Sequence, residues 1–485
     1  MQASAAIVLA AGQGTRMRSR VPKVLHPLAG RPMLSHVLDS LAAAGIEHRV
    51  VVTGSGAGAV EAVLGDVPTV RQEPQLGTAD AVRCGLSRIP SGVRHVVVTM
   101  GDVPLLPAEL FQRLLREQAE GEATIALLSA RVPDPSGYGR IVRDGSGSVS
   151  AIVEEREADE ATRGVDEVNV ATYCFEAAWL RANIGNVPAS PSGEYYLPDL
   201  VAVAVSGGRR VAVVEAPRPE LTTGINDRVA LAAAERLLRQ EIAERHMRAG
   251  VTIVDPATTW IDDGVEIGQD ARIEPATSLS GATVIAQDAV IGPNAQVRDS
   301  RIGPRTRVWS SVVEESEVAE DVEIGPYSHL RPGCRIGARS RIGNYAELKK
   351  ATVGAGTQQH HFSYLGDAEV GNDVNIGAGA VTANFDGERK NVTRIGDGAF
   401  IGVDTMLRAP ITIGPGARTG AGAVVTRDVA PGKTVVGMPA RPIEARRRAR
   451  DAEAAPPGAA PGAEPAGSVP DRSSQQGGPA KPPDV

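Results

Sequence analysis

Short apolar runs, separated by longer segments with helical spacing, dominate the first half of the chain. Ala5 to Ala10 is a continuous apolar run, and Val50-Val51-Val52-Thr53 and Val96-Val97-Val98-Thr99 are β-branched runs that end in turn residues. Runs of this kind predict buried strands, and stretches such as Leu34 to Ala44 between them read as helices. The alternation over residues 1–225 predicts an α/β domain, Rossmann-like, with a mostly parallel sheet. Residues 226–250 then read as one linker helix. Asn226 or Asp227 can cap it, Leu231, Leu238 and Ile242 form its apolar stripe, and Gly250 can end it.

The rhythm changes over 251–445. Ile or Val followed by Gly recurs, as at 267/268, 291/292, 302/303, 324/325, 336/337, 342/343, 370/371, 376/377, 395/396 and 401/402. Small residues such as Ala271, Ala289 and Ala295 stand four positions after the aliphatic one. This pattern predicts a left-handed parallel β-helix of hexapeptide repeats, its aliphatic residues stacked inside and its glycines allowing the corners. The stretch Thr382 to Lys390 interrupts the repeat and reads as a loop thrown out of the coil, where function is often carried. Residues 446–485 are rich in Pro, Gly, Ala and Ser after an Arg446-Arg447-Arg448 run, and predict a disordered tail.

Composition narrows the class. Aromatics are only 3% of the 485 residues, so the cores must rely on Ala, Val, Leu and Ile. A net charge of -7 gives no general surface for nucleic acid or an anionic membrane, and no apolar segment approaches membrane-spanning length. Cys84, Cys174 and Cys334 are odd in number and far apart, which excludes a disulfide framework or zinc site and fits a reducing cytoplasm. The apolar N-terminal run leads straight into a glycine loop, so it reads as a core strand and not a signal peptide.

Candidate chemistry starts in that loop. Leu9-Ala10-Ala11-Gly12-Gln13-Gly14-Thr15-Arg16-Met17 is followed by Pro22-Lys23-Val24-Leu25. Glycines let backbone approach a phosphate, and Arg16 and Lys23 add cations where charge builds up in phosphoryl transfer. In Arg71 to Thr78 an amide and a Gly-Thr turn can read the edge of a base. Asp102, in Gly101-Asp102-Val103-Pro104, suits Mg²⁺ or a helix N-cap. Gly137 to Arg140, Glu154, Asn169, Gly193 to Tyr196 and Thr223 to Asn226 offer polar groups to a sugar.

The string L-A-A-G-x-G-T-R-M-x5-P-K-x-L resembles the signature of sugar-1-phosphate nucleotidylyltransferases. With Leu330-Arg331-Pro332-Gly333, Glu347-Leu348-Lys349-Lys350 and His361-Phe362-Ser363-Tyr364-Leu365-Gly366-Asp367 added, most of the chain resembles one family. It is that of the bifunctional bacterial N-acetylglucosamine-1-phosphate uridylyltransferases / glucosamine-1-phosphate N-acetyltransferases. The resemblance implies acetylation of glucosamine 1-phosphate from acetyl-CoA, then UMP transfer from UTP, for UDP-N-acetylglucosamine and peptidoglycan synthesis. It implies that Asp102 and Asn226 hold Mg²⁺ and that Arg16 and Lys23 stabilise the triphosphate. Leu9, Ala10, Ala11, Gly12, Lys23, Gln72, Gln75, Gly77 and Thr78 would bind the nucleotide, and Gly139, Glu154, Asn169 and Asn226 the sugar phosphate. In the coil it implies His361 as general base, and Arg331, Lys349, Tyr364 and Asn375 around the sugar phosphate. Asn384, Phe385 and Lys390 of the inserted loop, with Ala421 and Arg441, would meet acetyl-CoA. It also implies a homotrimer whose acetyl site draws on neighbouring subunits. The distance along the chain between Arg331, Lys349, His361 and Asn384 points the same way.

The chain departs from the family pattern at several places. Ala79-Asp80 stands for a usual Gly-His, Met100 for a frequent Tyr, Gln358 and Val392 for Lys, and Phe385 for Tyr. The alternatives are a single-activity nucleotidylyltransferase with a regulatory or oligomerising coil, a thymidylyl-transferring relative, and an assembly scaffold. His361, Lys349 and Arg331 argue against the first, and Arg16, Lys23 and Asp102 against the last.

Overall fold

The computed structural model describes residues 4–442 other than 13, 55 and 192. The apolar runs become strands because both of their faces are covered. β1 (Ser4–Ala10) leads through a ribbon of β2 (Pro27–Leu28) and β3 (Arg31–Pro32) to α1 (Met33–Ala43). Then come β4 (His48–Thr53), α2 (Ala57–Leu64), β5 (Thr69–Arg71), α3 (Thr78–Leu86), β6 (His95–Met100), α4 (Ala108–Glu120) and β7 (Ile125–Arg131). The hairpin β8 (Arg140–Arg143) and β9 (Val149–Val153) is followed by α5 (Glu160–Arg163), β10 (Glu167–Glu176), α6 (Ala177–Asn183), α7 (Asp199–Ser206) and β11 (Val211–Glu215). The sheet order is β11-β7-β10-β6-β1-β4-β5, and β1 pairs parallel with both β4 and β6. β10 alone on this path runs antiparallel to its neighbours. Leu9 lies opposite Met100 in the register, so the glycine loop after β1 and the turn carrying Asp102 emerge side by side. Ligands of such sheets sit at this carboxyl end.

The linker helix α8 (Arg228–Arg248) is capped by Asp227, whose carboxylate accepts from the N–H groups of Val229 and Ala230. Its stripe serves two cores. Leu231 and Leu238 pack with Leu28, Met33, Leu105 and Ile225 of the α/β half, while Ile242 and Ala243 join the base of the coil. Polar contacts reinforce the junction. Arg31 reaches Asp263 at 3.0 Å, and Arg239 reaches Asp262 at 3.2 Å and lies 4.6 Å over the Trp260 ring. Residues through Arg441 form one compact unit.

From Thr252 onward, very short strands form three parallel sheets, the faces of a left-handed β-helix. Ile285, Ile302, Val318, Ile336, Val353 and Val370 stack in register on one face. Burying each such side chain contributes about 1.5–3 kcal/mol. The glycine after the aliphatic residue has a different role from the expected one. A Cβ on Gly354 would sit 2.4 Å from the Gly371 carbonyl carbon, and one on Gly303 2.5 Å from that of Ala319. These glycines let successive coils approach. The left-handed corner falls two residues later, at Asp270, Asn294, Arg305, Arg339 and Asp373, where Asp and Asn tolerate it best. Gly292 and Gly325, with positive φ of their own, are exceptions.

The insertion lies where expected. Val370 pairs directly with Ile395, and the residues between Ala383 and Thr393 leave the coil. Among the described residues no helix is long and apolar enough to cross a membrane, and Cys84, Cys174 and Cys334 are free thiols. The expected disordered tail at 446–485, with its arginine run, lies outside the described residues.

Candidate active sites

A cavity of about 490 Å³ opens at the carboxyl end of the sheet. Leu9, Ala11, Gly12, Gln72, Gln75, Gly77 and Thr78 of the expected nucleotide set line it; Ala10 and Lys23 do not. A Cβ on Gly12 would meet nothing within 4 Å among the described residues beyond its chain neighbours, which leaves room for a ligand before it. Gly14 is needed twice, for a φ of +61° and because a Cβ there would lie 2.7 Å from that of Lys23. The cavity wall is cross-tied. Gln75 Nε2 donates to the Ala11 carbonyl at 2.6 Å, the Leu197 N–H donates to Thr78 Oγ1 at 2.9 Å, and the Tyr195 N–H donates to the Leu76 carbonyl at 2.8 Å. That last pairing brings Glu194 and Tyr196 to the nucleotide cavity, where the sequence suggested a sugar contact. Met100, which the sequence marked as a departure from the family pattern, also lines it, as does Ala81, which no motif announced.

Beside the cavity, four expected residues converge. Arg16 donates to Asn226 Oδ1 at 2.9 Å, Lys23 Nζ donates to the same oxygen at 3.1 Å, and Lys23 forms a mostly buried ion pair with Asp102. Asn226 is held there because the Ile225 N–H donates to the Asp102 carbonyl at 2.9 Å. The nearest following helix, α4, is capped by Pro107, so Asp102 is not an N-cap. Asp102 and Asn226 thus both direct an oxygen to the Lys23 ammonium. A carboxylate and an amide oxygen are hard donors of the kind Mg²⁺ takes when substrate phosphates and water complete its shell. No cluster of three His, Cys, Asp or Glu among the described residues could hold a metal unaided.

The sugar candidates meet on the β8–β9 side. The Asn169 N–H donates to the Gly139 carbonyl at 2.8 Å, and a Cβ on Gly139 would lie 3.3 Å from a Glu154 carboxylate oxygen. The Ala171 N–H donates to Asn169 Oδ1 at 3.1 Å, which fixes the amide so that its Nδ2 donates to the Tyr173 hydroxyl at 2.7 Å. Burial raises the Glu154 carboxyl above its ordinary value, and the nearby Asp199 and Glu157 carboxylates add to the shift.

In the coil, residues one turn apart in sequence are neighbours in space. The Arg331 N–H donates to the Leu348 carbonyl and the Asp367 N–H to the Lys349 carbonyl. Arg331, Lys349 and Asp367 therefore form a ladder along one edge. Asn384 joins it by donating its amide to the Asp367 carboxylate. Arg331, Lys349 and Asn384, far apart in sequence, thus meet along one edge of a single coil, and His361 is not among them. The Tyr364 hydroxyl and the Asn384 amide lie against Gly366, in space that a Cβ there would enter. His361 is exposed at the opposite edge of this face, its carbonyl accepting from Ser363 Oγ at 2.9 Å. Ser363 Oγ in turn accepts from Gln359, which is fully buried. Asn375 stands on the adjoining face, paired with Gln358 and Phe400.

The inserted loop is built on Asp386. Its carboxylate accepts from the N–H groups of Glu388 and Arg389 at 2.9 Å and from the Asn391 amide at 2.8 Å, and these bonds hold its pKa well below the usual range. Lys390 lies 4.4 Å over the Phe385 ring. Ala421 and Arg441 are exposed further along the coil.

Comparison with known proteins places this geometry. A MobA-like NTP transferase domain matches residues 6–164, and bacterial transferase hexapeptide (six repeats) matches residues 315–350 and 393–427. The bifunctional protein GlmU of Geobacillus sp. (strain WCH70) is 46% identical over 426 residues, 87% of this chain and 93% of that protein. The one from Geobacillus thermodenitrificans (strain NG80-2) is 45% identical over 440 residues, 90% of this chain and 96% of that protein. The one from Heliobacterium modesticaldum (strain ATCC 51547 / Ice1) is 44% identical over 438 residues, again 90% and 96%.

Proposed function

The chain belongs to the bifunctional GlmU family, and from that premise we propose which of its residues carry each reaction. The protein acetylates glucosamine 1-phosphate from acetyl-CoA and transfers UMP from UTP to N-acetylglucosamine 1-phosphate, releasing pyrophosphate. In the α/β half the UTP base and ribose enter the cavity between Gly12 and Gln72. Arg16 and Lys23, both on Asn226, are the cations that meet the triphosphate as a sugar-phosphate oxygen attacks the α-phosphorus. This reaction needs positioning and charge stabilisation and no covalent intermediate. Asp102 and Asn226 would hold Mg²⁺, which when bound neutralises charge on the phosphates. Gly139, Glu154 and Asn169 receive the N-acetylated sugar.

In the coil, Arg331 and Lys349 bind the phosphate of glucosamine 1-phosphate, Tyr364 and Asn375 hold its ring, and His361 accepts the amine proton as nitrogen attacks the thioester carbonyl. The thiol of CoA leaves. Asn384, Phe385 and Lys390, with Ala421 and Arg441, border the CoA groove. Tyr327 and Tyr345 stack at 5.3 Å along the coil edge that also carries Phe362, and all three are more than half exposed beside His361. Apolar surface of this kind marks an interface, and we assign it to a homotrimer. The free thiols suit the cytoplasm.

The convergence of Arg16, Lys23, Asp102 and Asn226 beside the cavity carries this reading. A chelator tests it. EDTA is expected to abolish UDP-N-acetylglucosamine formation and leave acetylation of glucosamine 1-phosphate unchanged. Uridylyl transfer that survives chelation would refute the metal assignment.

A further inference from the structure

Asp80 is a buried carboxylate that the roles above do not use, at a position where the chain departs from its family. It sits in the first turn of α3 and is 6% exposed. One of its oxygens accepts from Gln72 Nε2 at 2.8 Å, and the other pairs with Arg83. Gln72 Nε2 donates a second time, to the Gly77 carbonyl at 2.9 Å. A carboxylate and a carbonyl therefore converge on one end of the Gln72 amide. Both only accept, so that end must be the NH₂. Its two hydrogens are then spent inside the wall. The amide oxygen has no partner among the described residues and is not sealed from solvent, although Gln72 as a whole is 3% exposed. Gln72 lines the cavity, so that oxygen opens into it.

We propose that Asp80 sets the base choice of the uridylyl site by locking the Gln72 amide with its oxygen toward the base. A fixed acceptor welcomes a pyrimidine with an N–H at N3, as in uracil or thymine. It opposes cytosine, whose N3 is a lone pair. A site built around a hydrogen bond rejects the analogue that cannot make it far more strongly than a site built on shape. Without Asp80, the Gly77 carbonyl is the only acceptor among the described residues left to resist rotation of the amide. The inference rests on the reading of this cavity as the base site.

The test is the ratio of kcat/KM for UTP to that for CTP, with N-acetylglucosamine 1-phosphate as acceptor, in Asp80→Asn, Gln72→Ala and Arg83→Ala. Thermal unfolding of the same preparations, followed by the helical signal that the α/β half supplies, reports folding. Asp80→Asn is nearly isosteric but can meet the Gln72 amide from either end, so the ratio is expected to fall at least tenfold. Arg83→Ala keeps the lock and should keep the ratio, which a merely structural role of the Asp80–Arg83 pair would not distinguish. If Gln72→Ala lowers the ratio and Asp80→Asn does not, the role of Asp80 is overturned and the base site stands. If Gln72→Ala changes neither the ratio nor the KM for UTP, the base-site reading falls and the proposal with it.

Discussion

Glu154 is a carboxylate held largely out of water at the proposed sugar site. Burial raises its pKa above the ordinary value of 4.5, with Asp199 and Glu157 pushing the same way. A carboxyl whose folded value is raised binds more proton in the folded state than in the unfolded chain. Stability therefore falls as pH rises from 4.5 through the raised value, and above that window the whole penalty is present. Glu154→Gln should raise the melting temperature of the α/β half at about pH 7.5 and leave it unchanged at about pH 4. It should also raise the KM for N-acetylglucosamine 1-phosphate about tenfold, the worth of one charge-assisted hydrogen bond. Equal melting temperatures at the higher pH would show that the carboxylate is not strained. At this scale the sequence was readable where a residue type had a single use. Arg16, Lys23 and Asp102 stand in a string that announces phosphate chemistry. The Gln72 amide does not, because its orientation depends on Asp80, which lies on the far side of a turn.

Elements were legible through their periods. The both-face apolar runs fixed the strands, and the Leu231, Leu238 and Ile242 stripe fixed α8, whose two ends serve two cores. The six-residue gaps gave the coil, but not the reason for its glycines. Sequence shows a glycine beside an aliphatic residue; only the stacked coils show that a Cβ there would strike the backbone above it. Gly354→Ala is therefore expected to cost about 1–3 kcal/mol of coil stability, the range for forced overpacking. Gly264→Ala makes a fair comparison, because its nearest contact would be an ordinary 3.5 Å to the Gly281 carbonyl oxygen. Thermal unfolding of the two variants checks this, and equal melting temperatures would contradict the close-approach account. The same periodicity hid a second fact. Residues one coil apart read as distant in sequence and are adjacent in space, so Arg331, Lys349 and Asp367 form a ladder within one chain.

At the scale of the molecule, one chain carries two chemistries, and α8 joins the half and the coil to which they are assigned. A coil edge with exposed aromatic rings is poorly suited to solvent, and Tyr327, Tyr345 and Phe362 lie beside the exposed His361. Light scattering of the full chain should give three times the monomer mass of 50.4 kDa; a monomer with full acetyltransferase activity would refute the trimer. The central claim is that the α/β half performs uridylyl transfer with the Asp102 cluster and the coil performs acetylation with His361, each independently. It is tested most directly by assaying both half-reactions in Asp102→Ala and in His361→Ala. The first variant should lose at least a hundredfold of its uridylyl transfer and keep its acetylation, and the second should do the reverse, since a positioned general base is worth about that much. Loss of both activities through either single substitution, in a protein that remains folded, would contradict the account.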